Sequence, residues 1–179
     1  ESPVPPRRAR LAVECARASL AEDRQLEEGQ VSLYIGIPFC PTRCAYCSFV
    51  SADVGRALKL IDPFLDALCR ELAATGAMLA DAGLRVRTVY FGGGTPTILA
   101  ARDLVAMLDA IRKIWGIAPD AEITTEANPD TVNEYYINEL AAGGFTRVSF
   151  GMQSAVPHVL KTLDRTHTPA NVEAGVRAA

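Results

Sequence analysis

Three cysteines fall within eight residues of this sequence, and they constrain the chain more than any other feature. Cys40, Cys44 and Cys47 have the spacing C-x3-C-x2-C. A structural zinc site usually takes four ligands from two separated pairs, and neither histidine lies nearby to complete one. Three thiolates suit a [4Fe-4S] cluster with one iron left free, because cysteine thiolates hold iron–sulfur clusters. The spacing therefore favours a cluster over a zinc site or a loop of free thiols.

The other two cysteines and the start of the chain indicate the cellular compartment. Five cysteines are an odd number, and the N-terminus carries prolines and arginines instead of an apolar signal core. This combination is not typical of a disulfide framework, so we expect a cytoplasmic protein. Cys15 and Cys69 stand alone in helical patterns. As small apolar side chains, they are expected in the hydrophobic core.

Composition excludes several classes of protein. The chain is 49% hydrophobic and 22% charged, which is too apolar for a disordered tail and typical of a globular protein. Its formal net charge is −3, with both signs interspersed, so no nucleic-acid partner is expected. No uncharged run approaches the roughly 18 residues of a membrane span. Residue 1 is Glu and residue 179 lies in a helical pattern, so we expect a part of a longer protein.

After residue 30, short apolar runs alternate with longer helical patterns. Strands that alternate with helices of this kind are typical of βαβ units around a parallel sheet, and right-handed crossovers wind such a sheet toward a barrel. Four units are too few to close a barrel. The sequence therefore predicts an α/β fold with a parallel partial barrel, whose strands lie at 31–37, 85–91, 121–126 and 146–151.

Helix starts are marked by capping residues. Asp62 precedes a proline and is the expected N-cap of the first long helix, and Thr131 to Glu134 form a capping-box pattern. Thr168, also followed by proline, begins the last helix, and His167 is a second candidate cap. A weaker pattern predicts one short helix within an N-terminal extension (residues 1–30), ahead of a core (residues 31–179), from Leu11, Cys15 and Leu20 on one side.

The unusual residues follow the predicted strands, where barrels of this type build their active sites. The cysteines follow the first strand, the glycine run Gly92–Gly94 the second, Glu126 ends the third and Gln153 follows the fourth. The glycine run is not a phosphate loop, because no Lys-Ser/Thr follows it. Singly, such a glycine run is often only a turn, and Glu126 alone could be a solvated strand end. Their coincidence with the cysteines favours one shared site.

The segment Tyr34-Ile35-Gly36-Ile37-Pro38-Phe39-Cys40, with the cysteine spacing, resembles the radical S-adenosylmethionine superfamily. Within it, the chain is similar to the group of oxygen-independent coproporphyrinogen III oxidases and related heme chaperones. That likeness rests on Tyr34, Tyr46 and the run Gly92-Gly93-Gly94-Thr95-Pro96, and it extends from about Leu11 to the end. The resemblance implies the partial (βα)n barrel of that superfamily, truncated after about four units.

The resemblance also implies two cofactors. Cys40, Cys44 and Cys47 would hold a [4Fe-4S] cluster, whose open iron chelates S-adenosylmethionine and supplies the electron that cleaves it to a 5′-deoxyadenosyl radical. Arg165 would pair with the carboxylate of S-adenosylmethionine. The complete set of implied contacts to this cosubstrate is Tyr34, Tyr46, Gly93, Gly94, Thr95, Glu126, Gln153 and Arg165.

Two functions follow from the resemblance. The main interpretation is a radical oxidoreductase that decarboxylates coproporphyrinogen III to protoporphyrinogen IX in porphyrin biosynthesis, with flavodoxin or ferredoxin as electron donor. The alternative is a heme chaperone that binds and transfers heme without oxidase activity. The sequence has Gly36 where the group usually carries a histidine, which in the oxidases is associated with substrate chemistry. A third hypothesis is a zinc- or cluster-stabilised structural module without turnover. Substrate-binding segments are expected beyond Ala179.

Overall fold

The computed structural model describes residues 4–24, 27–49 and 51–179, which divide into two compact units. The first unit, Glu1–Gln30, contains helix α1 (Pro6–Asp23), which has 18 residues where the sequence predicted a short helix. The side of α1 that was predicted to be apolar is not buried, and no side chain of this helix is. The expectation that Cys15 is a core residue is wrong, since this cysteine is exposed. Residues 1–3, 25 and 26 of the predicted extension lie outside the described residues.

The second unit, Val31–Ala179, alternates strands and helices. Its strands are β1 (Gln30–Ile37), β2 (Phe39–Cys40), β3 (Ala52–Asp53), β4 (Arg85–Gly93), β5 (Ile117–Ala127) and β6 (Arg147–Phe150). Its helices are α2 (Val54–Ala57), α3 (Ile61–Asp81), α4 (Ala101–Ile114), α5 (Glu134–Ala142), α6 (Pro157–Thr162) and α7 (Pro169–Ala178), with 3-10 turns at Leu58–Leu60 and Pro96–Ile98. No helix in the described ranges has the length and apolar character needed to cross a membrane.

Four strands form one sheet in the order β1-β4-β5-β6, and the pairs β4–β5 and β5–β6 are parallel. The parallel α/β prediction is therefore confirmed. The strands β2 and β3 form a separate two-residue parallel pair, which the sequence did not predict. Because β2 ends at the first cysteine of the cluster and β3 begins at Ala52, this pair closes the cysteine loop at its base.

The core lies between the sheet and its helices. Val89 and Phe91 on β4 and Leu104, Leu108 and Ile111 on α4 have no measurable exposure. Each such side chain contributes roughly 1.5–3 kcal/mol through removal of its apolar surface from water.

Three predicted details of the helices differ in the structure. Helix α3 begins one residue before Asp62, which therefore lies in the first turn, where its charge favours the helix dipole. The cap of α5 is Asn133, whose side chain accepts a hydrogen bond from the Tyr136 backbone at 2.9 Å. Thr131 instead donates to the Asn128 carbonyl at 2.8 Å, so the predicted capping box is wrong. Cys69 on α3 is exposed, which also contradicts its expected burial.

Candidate cofactor site

A cavity of about 330 Å³ lies at the carboxyl ends of β4, β5 and β6, against the cysteine loop. Ten of the eleven residues that the sequence analysis proposed for cofactor contact line it. They are Cys40, Cys44, Tyr46, Cys47, Gly93, Gly94, Thr95, Glu126, Gln153 and Arg165. These residues come from positions up to 125 apart in the chain, from 40 to 165. Tyr34 is the eleventh, and it does not line this cavity.

The cysteine loop is held by backbone hydrogen bonds at its base and its middle. At the base, the Ala52 amide donates to the Pro38 carbonyl at 2.7 Å. Within the loop, the Cys47 amide donates to the Cys44 carbonyl at 3.1 Å, which forms a turn between the second and third cysteines. The Ala45 amide donates to the Leu163 carbonyl at 3.3 Å, so the loop is also attached to the segment after α6.

The donor set of the cavity fits an iron–sulfur cluster. Cys40, Cys44 and Cys47 are all free thiols, all half-buried, and all line the same cavity. Three thiolates on one short loop are the ligand set of a cluster that leaves one iron open. Within the described ranges, no three Cys, His, Asp or Glu side chains are grouped so that they could hold a single metal ion.

The glycine run brings the end of β4 into direct contact with the cysteine loop. The amides of Gly94 and Thr95 donate to the carbonyls of Ile37 and Phe39 at 2.8 and 2.7 Å. A Cβ atom on Gly94 would lie 2.6 Å from the Phe39 oxygen and 2.9 Å from the Cys40 sulfur. Position 94 therefore requires glycine for its close approach to the cysteine loop, whereas contact of the run with the cosubstrate stays a prediction.

Arg165 forms a half-buried hydrogen-bond network between the loop and the sheet. Its Nη1 lies 3.2 Å from the sulfur of Cys44, and its Nη2 donates to Asn128 Oδ1 at 2.7 Å and to the Gly151 carbonyl at 2.9 Å. Its Nε donates to Nδ1 of His167 at 3.3 Å. His167 is 2% exposed and does not cap α7; that cap is Thr168, as predicted.

Two tyrosines lie beside Glu126 on neighbouring strands. The Tyr90 hydroxyl donates to Glu126 Oε1 at 2.9 Å, and the Tyr34 ring stacks on the Tyr90 ring with centroids 5.8 Å apart. Burial raises the pKa of Tyr90, and its hydrogen bond to Glu126 raises it further. Tyr90 is therefore a protonated donor at neutral pH. Tyr34 thus adjoins the site from the side of Tyr90 and of Gly92, where an added Cβ would lie 2.9 Å from the Tyr34 hydroxyl.

Sequence reasoning missed two residues that organise this site. Asn128 is buried, lines the cavity and accepts from Arg165. It follows β5 directly, so the same strand-end argument that selected Glu126 would have found it. Tyr90 gave no such signal, because an aromatic residue in a strand is ordinary, and only the folded sheet places its hydroxyl against Glu126.

The cavity occupies the edge at which parallel α/β barrels build their active sites, and its donors are those of an iron–sulfur protein. Fold and site together define the chain as an α/β protein of the iron–sulfur type. Residues 34–179 match the family model of the radical SAM superfamily. The chain belongs to the radical SAM superfamily.

Named relatives lie within the group to which the sequence is similar. The chain is 45% identical over 150 residues to a heme chaperone HemW of Mycobacterium tuberculosis, covering 82% of this chain and 37% of that protein. It is 38% identical over 150 residues to the heme chaperone HemW of Escherichia coli, covering 83% of this chain and 39% of the relative. It is 38% identical over 141 residues to the oxygen-independent coproporphyrinogen-III oxidase-like protein HemZ of Bacillus subtilis. That match covers 78% of this chain and 28% of HemZ.

A solved structure has the same fold. The coproporphyrinogen III oxidase HemN of Escherichia coli, a radical SAM enzyme, superimposes with a TM-score of 0.77 at 30% identity, covering 86% of this chain and 34% of HemN. The chain spans between about a quarter and two fifths of the length of these proteins. The heme chaperones named among the relatives favour the alternative interpretation of the sequence over its main one, the oxidase.

Proposed function

We propose that residues 31–179 are the cofactor-binding core of a heme chaperone-like radical SAM protein, with residues 1–30 as an N-terminal extension. In this proposal, Cys40, Cys44 and Cys47 hold a [4Fe-4S] cluster, and S-adenosylmethionine occupies the adjoining cavity. The observation that carries it is the convergence of seven proposed cosubstrate contacts and three free cysteines on one cavity. When bound, the cluster supplies the electron that cleaves S-adenosylmethionine.

In this proposal, different residues of the cavity contact different parts of S-adenosylmethionine. Arg165 is charge-matched to its carboxylate, and a guanidinium hydrogen-bonded to a carboxylate is among the stronger polar contacts in proteins. Gly93, Gly94 and Thr95 offer a strand end without bulky side chains to the methionine moiety. Glu126 accepts hydrogen bonds from the cosubstrate with the oxygen that Tyr90 does not use.

Gln153 completes the proposed set from the loop after β6. Its backbone has a φ of 58°, in the left-handed region that residues other than glycine adopt uncommonly. Strained conformations of this kind cluster at binding sites, where the surrounding structure imposes them. Gln153 and Tyr46 both line the cavity, which supports their assignment as cosubstrate contacts. Tyr34 supports the site indirectly, through its packing against Tyr90 and Gly92.

Heme is the proposed ligand of the whole protein. The support is the identity of 45% to a heme chaperone, against 30% to the oxidase HemN. Gly36 agrees with this choice, because the side chain that the oxidases carry there is missing. The chain covers only part of these relatives, so we place heme contacts in the protein as a whole and not in this cavity.

A second function, oxidative decarboxylation of coproporphyrinogen III, is supported by the TM-score of 0.77 to HemN. It would draw on the same cluster and the same cosubstrate site. In either function, a cluster that cleaves S-adenosylmethionine must first be reduced by an external electron donor. Flavodoxin or ferredoxin is the proposed donor. A cytoplasmic location is proposed from the odd number of cysteines.

Electron paramagnetic resonance on the full-length protein tests the proposal. The protein is reconstituted with iron and sulfide without oxygen, then reduced, and spectra are recorded with and without S-adenosylmethionine. A [4Fe-4S] signal that shifts on addition supports the cofactor assignment, and no signal, or an indifferent one, contradicts it. Stoichiometric heme binding without porphyrinogen turnover then supports the chaperone, and turnover supports the oxidase. Zinc in anaerobically purified protein would support the structural module.

A further inference from the structure

His167 is a buried histidine that the proposed function leaves without a role. It is 2% exposed, and both of its ring nitrogens have hydrogen-bond partners. Nδ1 lies 3.3 Å from Nε of Arg165, and Nε2 lies 2.9 Å from the Met152 carbonyl oxygen. The two partners belong to different segments of the site, since Arg165 follows α6 and Met152 follows β6.

The partners determine which nitrogen of His167 carries the proton. A guanidinium can only donate, so Nδ1 of His167 must be the acceptor and must be unprotonated. The Met152 carbonyl can only accept, so Nε2 must carry the hydrogen. His167 is therefore a neutral ring in a single tautomer, and it links the arginine to the turn that presents Gln153.

Arg165 is held in place without a carboxylate. Its four contacts are the sulfur of Cys44, the amide oxygen of Asn128, the Gly151 carbonyl and the ring of His167. No carboxylate lies within ion-pair distance of this guanidinium in the described ranges. Its positive charge therefore lies at the cavity wall without a direct ion pair among the described residues, and the Cys44 sulfur contacts it at 3.2 Å.

The geometry points to His167 as a positioning residue for the cosubstrate site. His167 fixes the rotation of the Arg165 guanidinium by accepting from Nε, so that Nη1 and Nη2 face the cavity and its cysteine loop. Through Nε2 the same ring holds the Met152 carbonyl, and with it the turn before Gln153. This inference rests on the proposed function, because the arginine is the proposed partner of the S-adenosylmethionine carboxylate.

Three variants of the full-length, cluster-loaded protein separate the two hydrogen bonds of His167. His167→Gln places an amide nitrogen near Nε2, so it keeps a donor for Met152 and loses the acceptor for Arg165. His167→Asn places an amide oxygen near Nδ1, so it keeps the acceptor. Arg165→Gln removes the charge. The dissociation constant of S-adenosylmethionine is measured from the shift of the cluster's paramagnetic signal, which is a binding measurement and needs no turnover.

His167→Gln is expected to weaken S-adenosylmethionine binding about tenfold, because it removes a hydrogen bond to a charged group and only part of that bond's free energy serves to orient the ligand. His167→Asn, which keeps the acceptor for Arg165, is expected to bind S-adenosylmethionine nearly as tightly as the unaltered protein. In the Arg165→Gln background, His167→Gln should cost nothing further, since an effect that passes through the arginine vanishes with it.

Two outcomes would overturn the inference. If His167→Gln weakens binding equally in both backgrounds, His167 acts only as a packing residue. If His167→Gln binds as tightly as the unaltered protein while Arg165→Gln does not, the arginine needs no positioning and the cosubstrate site itself stands. A full-affinity Arg165→Gln variant would contradict the proposed cosubstrate site as well, so the two failures are distinguishable. Iron content and the melting temperature of each variant show that it is folded and loaded.

Discussion

Replacing Gly94 by alanine tests whether the glycine run positions the cysteine loop. The added Cβ would lie 2.6 Å from the Phe39 oxygen, and 2.9 Å from both the Cys40 sulfur and the Ile37 oxygen. An ordinary contact between carbon and oxygen is about 3.3–3.6 Å, so the two carbonyls must retreat by about half an ångström or more. Two of the three atoms belong to the backbone, which cannot rotate away.

The size of the effect follows from the hydrogen bonds that those carbonyls accept. The Gly94 and Thr95 amides donate to them at 2.8 and 2.7 Å, and a retreat lengthens both bonds. Two weakened backbone hydrogen bonds cost about 1–3 kcal/mol, and overpacking adds about 1–3 kcal/mol. We expect Gly94→Ala to lower the free energy of unfolding by about 3 kcal/mol and to reduce the iron bound after reconstitution.

Gly36→Ala is the matched control. The nearest atom to a Cβ on Gly36 is Cε1 of Tyr34 at 3.6 Å, an ordinary contact, so the alanine fits. Both variants restrict the unfolded chain equally, so this contribution cancels in the comparison. Denaturant unfolding of the cluster-free proteins gives the free energies, and iron analysis gives the loading. Equal stability and equal iron content in the two variants would refute the argument that Gly94 permits a close approach.

Three further predictions concern other parts of the unit. Cys47→Ala should abolish reconstitution of the cluster, whereas Cys69→Ala, at an exposed position on α3, should load iron normally; iron content and the paramagnetic signal decide. Asn128→Ala should weaken S-adenosylmethionine binding several-fold, because it removes the acceptor that holds Arg165 at 2.7 Å, and unchanged affinity would contradict this. Burial raises the pKa of Tyr136 above its usual value. The unfolded chain therefore loses this proton first, and stability should fall as pH rises above about 10. In Tyr136→Phe this alkaline loss should be smaller in denaturant titrations across that range.

Much of the fold could be predicted because its signals are local. Alternating apolar runs and helical periods placed the four main strands within a few residues, since a strand or a helix repeats its pattern over neighbouring positions. Helix starts were less predictable. Thr131 matched a capping box, but its hydroxyl found the Asn128 carbonyl instead, and Asn133 became the cap. Several nearby residues can cap, and packing chooses among them.

The burial of isolated residues could not be predicted from type alone. Cys15 and Cys69 are small and apolar, yet both are exposed, because a helix buries only the side that a neighbouring element covers. His167 was expected at a helix start, and it is instead buried with both ring nitrogens bonded. Residue type states what a side chain can tolerate, and the neighbours brought by the fold decide what it meets.

By itself, the sequence predicted a set of thiolate ligands and the edge of the sheet beside which they would lie. Three cysteines at C-x3-C-x2-C define a thiolate set, and parallel strands bring the residues that follow them to one edge, so Glu126 and Gln153 could be placed at that edge in advance. Arg165 was assigned from the family resemblance, and it lines the same cavity. Only the tertiary structure decided how those residues are held. The contact between Arg165 and Cys44 joins positions 121 residues apart. The direction of a hydrogen bond and the clearance between two packed atoms depend on where the fold places segments that are distant in the chain. A local sequence pattern does not encode that placement.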